Sequence, residues 1–256
     1  MDQKTLAYIN MYAILGTLEN LCELDEEAQA LLAGKSPVSL AFDVKGGPKA
    51  TLTFSNGRAR LEPGASPKAN VRLAISSCEK FNKVVSGQAT PVPVPGYKFR
   101  PAHLSFLLNE FDALTKRLEQ HLRASEEDLA DPVFFTRSTK LMLYVISVAI
   151  SQIADYDDIG RFSAGNTIDG EMLMSIKNDI GVTIRVKNNV FATLKKRTET
   201  PSCIMEFESL ELARALFDGK VSAMSCISNG TIIMGGKIAM LDNVSRILDR
   251  VPLYLA

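Results

Sequence analysis

The sequence predicts an α+β fold made of two tandem copies of one unit, each a mainly antiparallel sheet of about five strands with helices covering one face. Three observations support this prediction. Similar patterns recur about 132 residues apart, strand-like segments follow an apolar helix in each copy, and an amphipathic helix closes each copy. A chain of 256 residues, of which 46% are hydrophobic, is long enough to bury two such cores.

The repeat is clearest around two glycines. Gly87 ends the segment CEKFNKVVSG and Gly219 ends LELARALFDG, 132 residues later, and a Ser-x-Glu triplet opens each segment. Identities at this offset are few. The stronger evidence is that the same kinds of pattern follow one another in the same order in both copies.

Each copy begins with an apolar helix-like segment, YINMYAILGTLENLCEL in the first and LMLYVISVAISQIADY in the second. Alternating apolar residues then predict half-buried strands, because side chains two residues apart lie on the same face of a strand. These residues are Leu40, Phe42 and Val44 in the first copy and Met172, Met174 and Ile176 in the second.

Two short turns predict β-hairpins. The segments ATLTFSNGRARL and VTIRVKNNVFAT contain an Asn-Gly and an Asn-Asn pair, and both pairs tolerate the positive φ angles that two-residue hairpin turns require. Each segment is therefore predicted to form two antiparallel strands.

An amphipathic helix closes each copy. The segment FLLNEFDALTKRLEQHL from residue 106 matches AMLDNVSRILDRVPLYL from residue 239, and apolar residues recur at helical spacing in both. The two copies are therefore predicted to occupy residues 1–122 and 141–256. Residues 123–140 are predicted to be a linker with about one helical turn, ended by Asp131-Pro132.

Composition disfavours several classes of protein. Twenty-nine Lys and Arg residues balance twenty-nine Asp and Glu residues, so overall charge gives no reason to expect binding to nucleic acid. The four cysteines are neither closely spaced nor next to histidine, which is typical of reduced thiols in a cytoplasmic protein. The oligomeric state is left open by the sequence.

No membrane segment is predicted. The N-terminal residues are amphipathic and partly acidic, unlike a signal peptide. The apolar stretch at residues 141–154 is too short to span about 30 Å of hydrocarbon, so it predicts a buried helix and no stable membrane insertion.

The glycines near the end of the chain do not have the spacing that predicts a phosphate-binding loop. Gly219 is predicted to end a helix, Asn229-Gly230 to turn one strand into the next, and Gly235-Gly236 to precede a helix. A phosphate loop would instead place its glycines between a strand and a helix N-terminus.

The unit resembles the type-2 sterol carrier protein domain. The resemblance is carried by LELARALFDGKVSAMSCISNGTIIMGGKIAML in the second copy and CEKFNKVVSGQATPVPVPGYKFRPAHLSFLL in the first, and it covers residues 38–122 and 170–255. It implies a sterol-carrier-like fold with an apolar tunnel between sheet and helices, which takes a fatty acyl chain, an acyl-CoA or a sterol.

The second copy contains the candidate ligand-binding residues. Methionine side chains suit a cavity that accepts ligands of varied shape, although each candidate could equally pack a closed core. The grouping of methionines in this tract is the more specific signal. The candidates are Phe217, Met224, Ile232, Met234, Met240, Leu241, Val244 and Ile247.

The first copy departs from this pattern. PVPVPG replaces the small apolar run, and since proline cannot donate to a β-ladder, that strand must lie at a sheet edge or be broken. Large rings are expected to fill the volume that a ligand would occupy. These are Phe42, Phe54, Phe81, Phe99, Phe106 and Phe111. Ligand binding is therefore expected in the second copy.

Lys195, Lys196 and Arg197 form the candidate headgroup site. Their positive charges would meet a carboxylate or phosphate if they lay at the mouth of the tunnel. The commoner arrangement for such a cluster is a solvated strand end.

No catalytic residue, metal site or cofactor is predicted. Asp155, Asp157 and Asp158 offer oxygen ligands for an ion such as Mg²⁺, but acidic residues at a helix end are more often simply solvated. His103 and His121 belong to no local nucleophile motif, and no glycine-rich nucleotide loop occurs.

The sequence therefore favours a non-enzymatic, cytoplasmic protein that binds a lipid-like apolar ligand in its second copy. The alternative is a structural or protein-interaction module whose cavities are filled, with an exposed apolar patch expected on the helix at residues 141–154. A metal-dependent enzyme using the three aspartates is the third possibility.

Overall fold

The computed structural model describes residues 1–255. The chain divides into two compact units, Met1–Arg137 and Ser138–Ala256. Each unit contains one five-stranded sheet with helices packed on it, which confirms the predicted α+β fold.

The first unit opens with a helical run over residues 3–24. This run changes its winding three times, because a π-helical segment (Ile9–Ile14) and a 3₁₀ turn (Leu15–Thr17) follow one another between two α-helical parts. The helices of the unit are α1 (Gln3–Tyr8), α2 (Leu18–Leu24), α3 (Glu26–Leu32), α4 (Cys78–Val85), α5 (Pro101–Phe106) and α6 (Asp112–Leu122). A second π-helical segment, Leu107–Phe111, joins α5 to α6.

The first sheet has the strand order β3-β2-β1-β4-β5. Its strands are β1 (Val38–Val44), β2 (Lys49–Ser55), β3 (Arg58–Pro63), β4 (Val71–Ile75) and β5 (Pro93–Pro95). β1 pairs in parallel with β4, and every other pairing is antiparallel. The proline-rich β5 lies at the sheet edge, where a strand needs fewer ladder donors, as the sequence predicts.

The second unit repeats this arrangement. Helix α7 (Pro132–Tyr156) begins in the last residues of the first unit and continues into the second. The other helices of the second unit are α8 (Asp158–Gly165), α9 (Leu210–Phe217), α10 (Ala223–Ser228), α11 (Ile238–Leu248) and α12 (Pro252–Leu255). Its strands are β6 (Gly170–Ile176), β7 (Gly181–Lys187), β8 (Val190–Leu194), β9 (Cys203–Phe207) and β10 (Ile232–Gly236). The order β10-β9-β6-β7-β8, with β6 parallel to β9, has the connectivity of the first sheet.

Hydrogen bonds recur at the same offset. The Thr51 hydroxyl donates to the Gly64 carbonyl oxygen at 2.7 Å, and the Thr183 hydroxyl donates to the Lys196 carbonyl oxygen at 2.7 Å. All four residues are related by an offset of 132, so the two units share side-chain contacts as well as topology.

Both predicted hairpin turns are confirmed. Asn56 and Gly57 have φ angles of 51° and 74° between β2 and β3, and Asn188 and Asn189 have φ angles of 52° and 63° between β7 and β8. These backbone conformations are the ones that asparagine and glycine adopt most readily.

Helix α7 differs from the prediction for residues 141–154. It has 25 residues and begins at Pro132, nine residues earlier than predicted. The Asp131 carboxylate accepts the Val133 N–H at 2.8 Å, and proline is well suited to the first turn of a helix, so Asp131-Pro132 begins a helix. Residues 132–140, predicted as part of the linker, therefore belong to this helix.

The length of α7 also overturns the argument against a membrane span. At about 1.5 Å per residue, 25 residues are long enough to cross a bilayer, and the mean hydropathy of 1.4 is high enough. In the structure, 56% of the most apolar window is buried, and residues 145–151 are buried without a break. The apolar patch expected on this helix is therefore not exposed.

Helix α10 also differs from the prediction, which placed a strand before Asn229-Gly230. Gly230, with a φ of 77°, ends the helix, and the Thr231 N–H donates to the Cys226 carbonyl oxygen at 2.9 Å. This turn therefore joins a helix to β10 rather than a strand to a strand.

Candidate functional site

Four candidate residues lie together on the buried face of α11. Met240, Val244 and Ile247 are fully buried, and Leu241 is nearly so. Their spacing places them on one side of the helix, which packs over α8 and over β6, β9 and β10. They form the helical wall of the apolar interior of the second unit.

Strand β10 contributes two candidates to the opposite wall. Ile232 pairs with Phe207, and Met234 pairs with Met205, so both lie on the sheet face of the buried β9 residues. Ile232 is buried, but Met234 is only half-buried. The helix layer therefore covers this face incompletely near Met234.

Phe217, at the end of α9, is also half-buried. Its ring meets the buried ring of Phe207 edge to face, with the centroids 5.7 Å apart. Phe217 and Met234 each join the buried interior to the surface. They are the residues at which an apolar ligand could enter.

Met224 does not share this interior. It lies on α10 with 73% of its surface exposed, whereas Met240 is fully buried. The three methionines of the tract thus occupy three environments: exposed, half-buried and buried.

The basic cluster lies away from these residues. Lys195, Lys196 and Arg197 follow β8, which is the sheet edge opposite β10, four strand spacings or roughly 19 Å away. The Arg197 guanidinium donates to the carbonyl oxygens of Ile176 at 2.9 Å and Asp179 at 3.1 Å, so it braces the turn between β6 and β7.

Lys237 is a cation that does lie beside the site, and the sequence reasoning missed it. The backbone N–H of Lys237 donates to the Ser202 carbonyl oxygen at 3.0 Å, and this hydrogen bond holds the residue next to β9. Burial raises the pKa of the Cys203 thiol to about 11 although the charge of Lys237 acts to lower it, so this thiol stays uncharged at neutral pH. The available signal for Lys237 was its place directly after Gly235-Gly236, at the end of β10.

The interior of the first unit is filled by aromatic rings. The ring centroids of neighbouring pairs lie between 5.1 and 6.4 Å apart, which is ordinary packing distance. The rings are those of Phe42, Phe54, Phe81, Phe106 and Phe111. Phe99, the sixth candidate, instead contacts the His103 ring, at 6.1 Å.

The second unit has smaller side chains at all five of these positions. At offsets of 132 or 133 they are Met174, Val186, Ala213, Ala239 and Val244. Three rings are returned elsewhere, since Phe191, Phe207 and Phe217 replace Ala59, Ile75 and Val85. Phe191 is buried and pairs directly with Val186, so it returns a ring beside that position, whereas Phe207 and Phe217 lie near β9. No ring is returned at the position of Val244.

The first unit has a small surface depression. Leu32, Lys35, Phe54 and Phe106 are among its lining residues, and its empty volume is about 170 Å³, part of which is open to solvent. Sites for small organic ligands usually enclose at least about 300 Å³, so this depression is too small for a lipid.

The side chains of the three aspartates are not grouped together in the structure. Asp157 is buried and caps α8 by accepting the Gly160 N–H at 2.8 Å, and it also accepts hydrogen bonds from Arg250 at 2.8 Å and Tyr254 at 2.6 Å. Burial raises the pKa of Asp155, which is half-buried, whereas Asp158 is exposed. Within residues 1–255, no group of three or more His, Cys, Asp or Glu side chains is placed to hold a metal ion.

His121 takes part in an equivalent cluster in the first unit. Asp25 caps α3, and its carboxylate lies 2.9 Å from both Arg117 Nη2 and His121 Nε2. The His121 ring stacks on Phe134 with the centroids 4.2 Å apart. The geometry is that of a buried structural contact and includes no nucleophile.

Solved sterol carrier protein domains are similar to this chain, and this is the family that the sequence resembles. The sterol carrier protein domain 2 of Helicoverpa armigera is 13% identical with a TM-score of 0.35, and the match covers 43% of this chain and 87% of that one. A sterol carrier protein 2 is 14% identical with a TM-score of 0.33, covering 43% and 92% of the two chains. The ubiquinone synthesis protein UbiJ-SCP2 is 11% identical with a TM-score of 0.33, covering 42% and 88%.

No protein-family model matches the sequence. No curated protein matches it either.

Proposed function

We propose that the second unit binds a lipid-like apolar ligand between its sheet and α11. The observation that supports this most is the net loss of ring volume, because five phenylalanine positions of the first unit carry Met, Val or Ala in the second, while three other positions gain a ring. The ligand would lie against the buried face of α11, with Phe217 and Met234 at the entrance.

The chemistry of the lining residues suits an acyl chain or a sterol. Met240, Val244 and Ile247 present only apolar atoms, and burying each methylene of a ligand would contribute about 0.8 kcal/mol. Lys237 is the cation we propose for a carboxylate or phosphate headgroup, in place of Lys195–Arg197 at the far edge of the sheet. The names of two similar solved domains describe those proteins as sterol carriers. For this chain we propose a broader class of ligand: a fatty acid, an acyl-CoA or a sterol.

A protein-interaction or structural role is the second candidate, and it fits the first unit better. The packed rings around Phe42 and Phe54 leave no counterpart of the proposed ligand space there. In this arrangement the second unit binds the ligand, and the first unit has a fully packed interior and binds none. We further propose a cytoplasmic location, which the four free cysteines support.

The test is a displacement titration of a fluorescent fatty acid on the full chain after removal of co-purified lipid, with native mass spectrometry of the untreated protein. Val244→Phe restores the ring found at Phe111 and should weaken binding at least tenfold. Val190→Phe makes the same change at an exposed position on the far sheet edge and should leave binding unchanged.

The proposal fails if the wild-type chain shows no saturable binding and carries no co-purified lipid. It also fails if the two phenylalanine variants bind equally well, since the ligand would then lie outside the interior of the second unit.

A further inference from the structure

The two sheets have four edge strands, β3 and β5 in the first unit and β8 and β10 in the second. Every second residue of an edge strand directs its N–H and C=O groups away from the sheet, where another strand can pair with them. Proteins usually block such edges with a covering helix, with proline or with charged side chains. Three of these four edges are blocked by a helix or by proline.

A helix covers the edges of β3 and β8. On β3 the outward N–H of Leu61 donates to the Glu19 carboxylate of α2 at 2.8 Å. On β8 the outward N–H of Phe191 donates to the Asp155 carboxylate of α7. A further strand could pair with either edge only by displacing a side chain of the covering helix.

Prolines close the edge of β5. The Gly96 N–H donates to the Asn70 carbonyl oxygen at 2.9 Å, between β5 and β4. Because ladder hydrogen bonds alternate along an antiparallel pair, Pro93 and Pro95 face outward. Both outward positions therefore lack an N–H, so a further strand could not form a complete ladder with β5.

Strand β10 is the open edge. It is last in the order of the second sheet, and among residues 1–255 no strand pairs with its outer side. The Lys237 N–H donates to the Ser202 carbonyl oxygen at 3.0 Å, in register with the ladder between β10 and β9. By the same alternation, Ile232, Met234 and Gly236 direct their backbone groups outward.

The open edge lies where the first unit has its prolines. Leu73 of β4 and Met205 of β9 correspond at an offset of 132, and they pair with Pro93 and Met234. Met234 therefore has an outward N–H at the position where the first unit has none. Charge does not protect β10 either, because residues 221–236 contain no Asp, Glu, Lys or Arg.

We propose that β10 pairs with β10 of a second copy of this chain, antiparallel across a two-fold axis beside Ile233. In this register Ile232 of each copy exchanges hydrogen bonds with Met234 of the other, through the outward groups of both. Ile233, which is 46% exposed, lies opposite the same residue of the second copy, in a pair of the closely spaced kind. The edge is thus self-complementary, as a two-fold axis requires.

Charge does not oppose this pairing. Glu206, which pairs with Ile233 on β9, would lie three strand spacings, about 14 Å, from its own copy. The two Lys237 residues would lie on opposite sides of the axis, about 27 Å apart. Both distances exceed the screening length of about 8 Å in physiological salt. A charged peptide is the poorer partner, because β10 has no charge with which to select one.

The experiment is sedimentation velocity of the full chain between about 1 and 100 μM, the range in which weak dimers form. The wild-type chain should sediment as a dimer at the upper concentrations and dissociate on dilution. Ile233→Glu should weaken self-association about tenfold or more, because its carboxylates would face one another between the two Glu206 residues. Val190→Glu makes the same change at an exposed position on the blocked edge β8 and should leave self-association unchanged.

Two further variants test the register and the backbone pairing. Ile233→Lys mixed with Ile233→Glu should form a mixed dimer about fivefold tighter or more than Ile233→Glu alone, because opposite charges then meet at the axis. Met234→Pro transfers the proline of the first unit to β10, removes an outward N–H and should weaken self-association about tenfold. Thermal unfolding of each variant should resemble that of the wild type, because none of these changes removes an N–H from the ladder with β9.

A wild-type chain that stays monomeric over this range overturns the proposal. Equal weakening by Ile233→Glu and Val190→Glu also overturns it, as does a mixture of the two charged Ile233 variants without recovery, since another surface would then join the copies.

The inference does not depend on the proposed ligand site. Side chains alternate along a strand, so Ile233 lies on the sheet face opposite Met234, and Ile233→Glu should leave displacement of the fluorescent fatty acid unchanged. Fatty-acid binding by a chain that stays monomeric would refute only this inference, and a dimer that binds no fatty acid would refute only the proposed function.

Discussion

Tyr254 donates a hydrogen bond of 2.6 Å to the buried carboxylate of Asp157. This contact ties α12 to the start of α8, while in the first unit His121 of α6 meets Asp25 at the start of α3 in the same way. In both units a buried aspartate therefore caps one helix and holds the closing helical segment against it. An arginine, Arg250 or Arg117, completes each cluster.

Replacing the buried aspartate should destabilise the second unit strongly. Asp157→Asn removes the charge that pairs with Arg250 and leaves the guanidinium partly buried without its partner, so the free energy of unfolding should fall by about 3 kcal/mol. Urea denaturation measures the change. Asp158→Asn is the matched control, since that neighbour is exposed and should alter stability by less than about 0.5 kcal/mol. Equal effects of the two variants would contradict the structural role of Asp157.

The first unit should lose stability in acid because of Asp25. Burial acts to raise the pKa of this carboxyl, but hydrogen bonds from His121, the Ala28 N–H and Arg117 outweigh it and hold the pKa well below its usual range. A depressed pKa stabilises the fold above the unfolded value of about 4, and this contribution is lost as the pH falls toward the folded value.

The measurement is the free energy of unfolding between about pH 3 and pH 7. It should decrease below about pH 4 in the wild-type chain, and Asp25→Asn should lower stability at neutral pH and flatten this acid decrease. Glu127→Gln, at an exposed position in the same unit, should keep the wild-type slope. An unchanged slope in Asp25→Asn would assign the acid sensitivity to other groups.

Ala213→Phe tests whether the second interior has spare volume. Ala213 is fully buried on α9 and stands where the first unit has Phe81. If the ring finds space, the free energy of unfolding should change by less than about 1 kcal/mol, whereas a filled interior would be overpacked at a cost of about 1–3 kcal/mol. Thermal and urea unfolding distinguish the two cases, with Ala192→Phe at an exposed strand position as the control.

Adjacent glycines at the end of β10 should respond differently to alanine. Gly236 has a φ of 97°, and a Cβ there would lie 2.7 Å from Cys203 Cα and also meet the Ser202 carbonyl oxygen, so Gly236→Ala should cost about 2 kcal/mol or more. At Gly235 an added Cβ would meet only the Ile204 side chain, at 3.7 Å, so Gly235→Ala should be nearly neutral. The two unfolding curves, compared directly, check the backbone path that leads into α11.

Most of the fold could be predicted because its signals are local. The pairs Asn56-Gly57 and Asn188-Asn189 specify their turns within two residues, and alternating side chains specify the strands on either side. The small residues of α10 have no clear period, which is why helix and strand could not be separated there. Helix α7 was predicted too short because Arg137 and Lys140 interrupt its apolar pattern.

Less of the candidate site could be predicted. The buried face of α11 follows from its spacing, but the exposure of Met224 depends on where α10 packs, and the position of Lys195–Arg197 depends on strand order. The aspartate clusters join residues more than ninety positions apart in sequence. Their signal was the recurrence of Asp25 and Arg117 as Asp157 and Arg250 at offsets of 132 and 133.

The divergence of the two interiors has a consequence for synthesis of the chain. Neighbouring domains with similar sequences can exchange equivalent strands while they fold, which is a characteristic failure of tandem repeats. If β6 took the place of β1 in the first sheet, Met174 would stand where that sheet has Phe42. If β7 took the place of β2, Val186 would stand where it has Phe54. Such mismatched volumes penalise a hybrid sheet, so each copy selects its own strands although both follow the same topology.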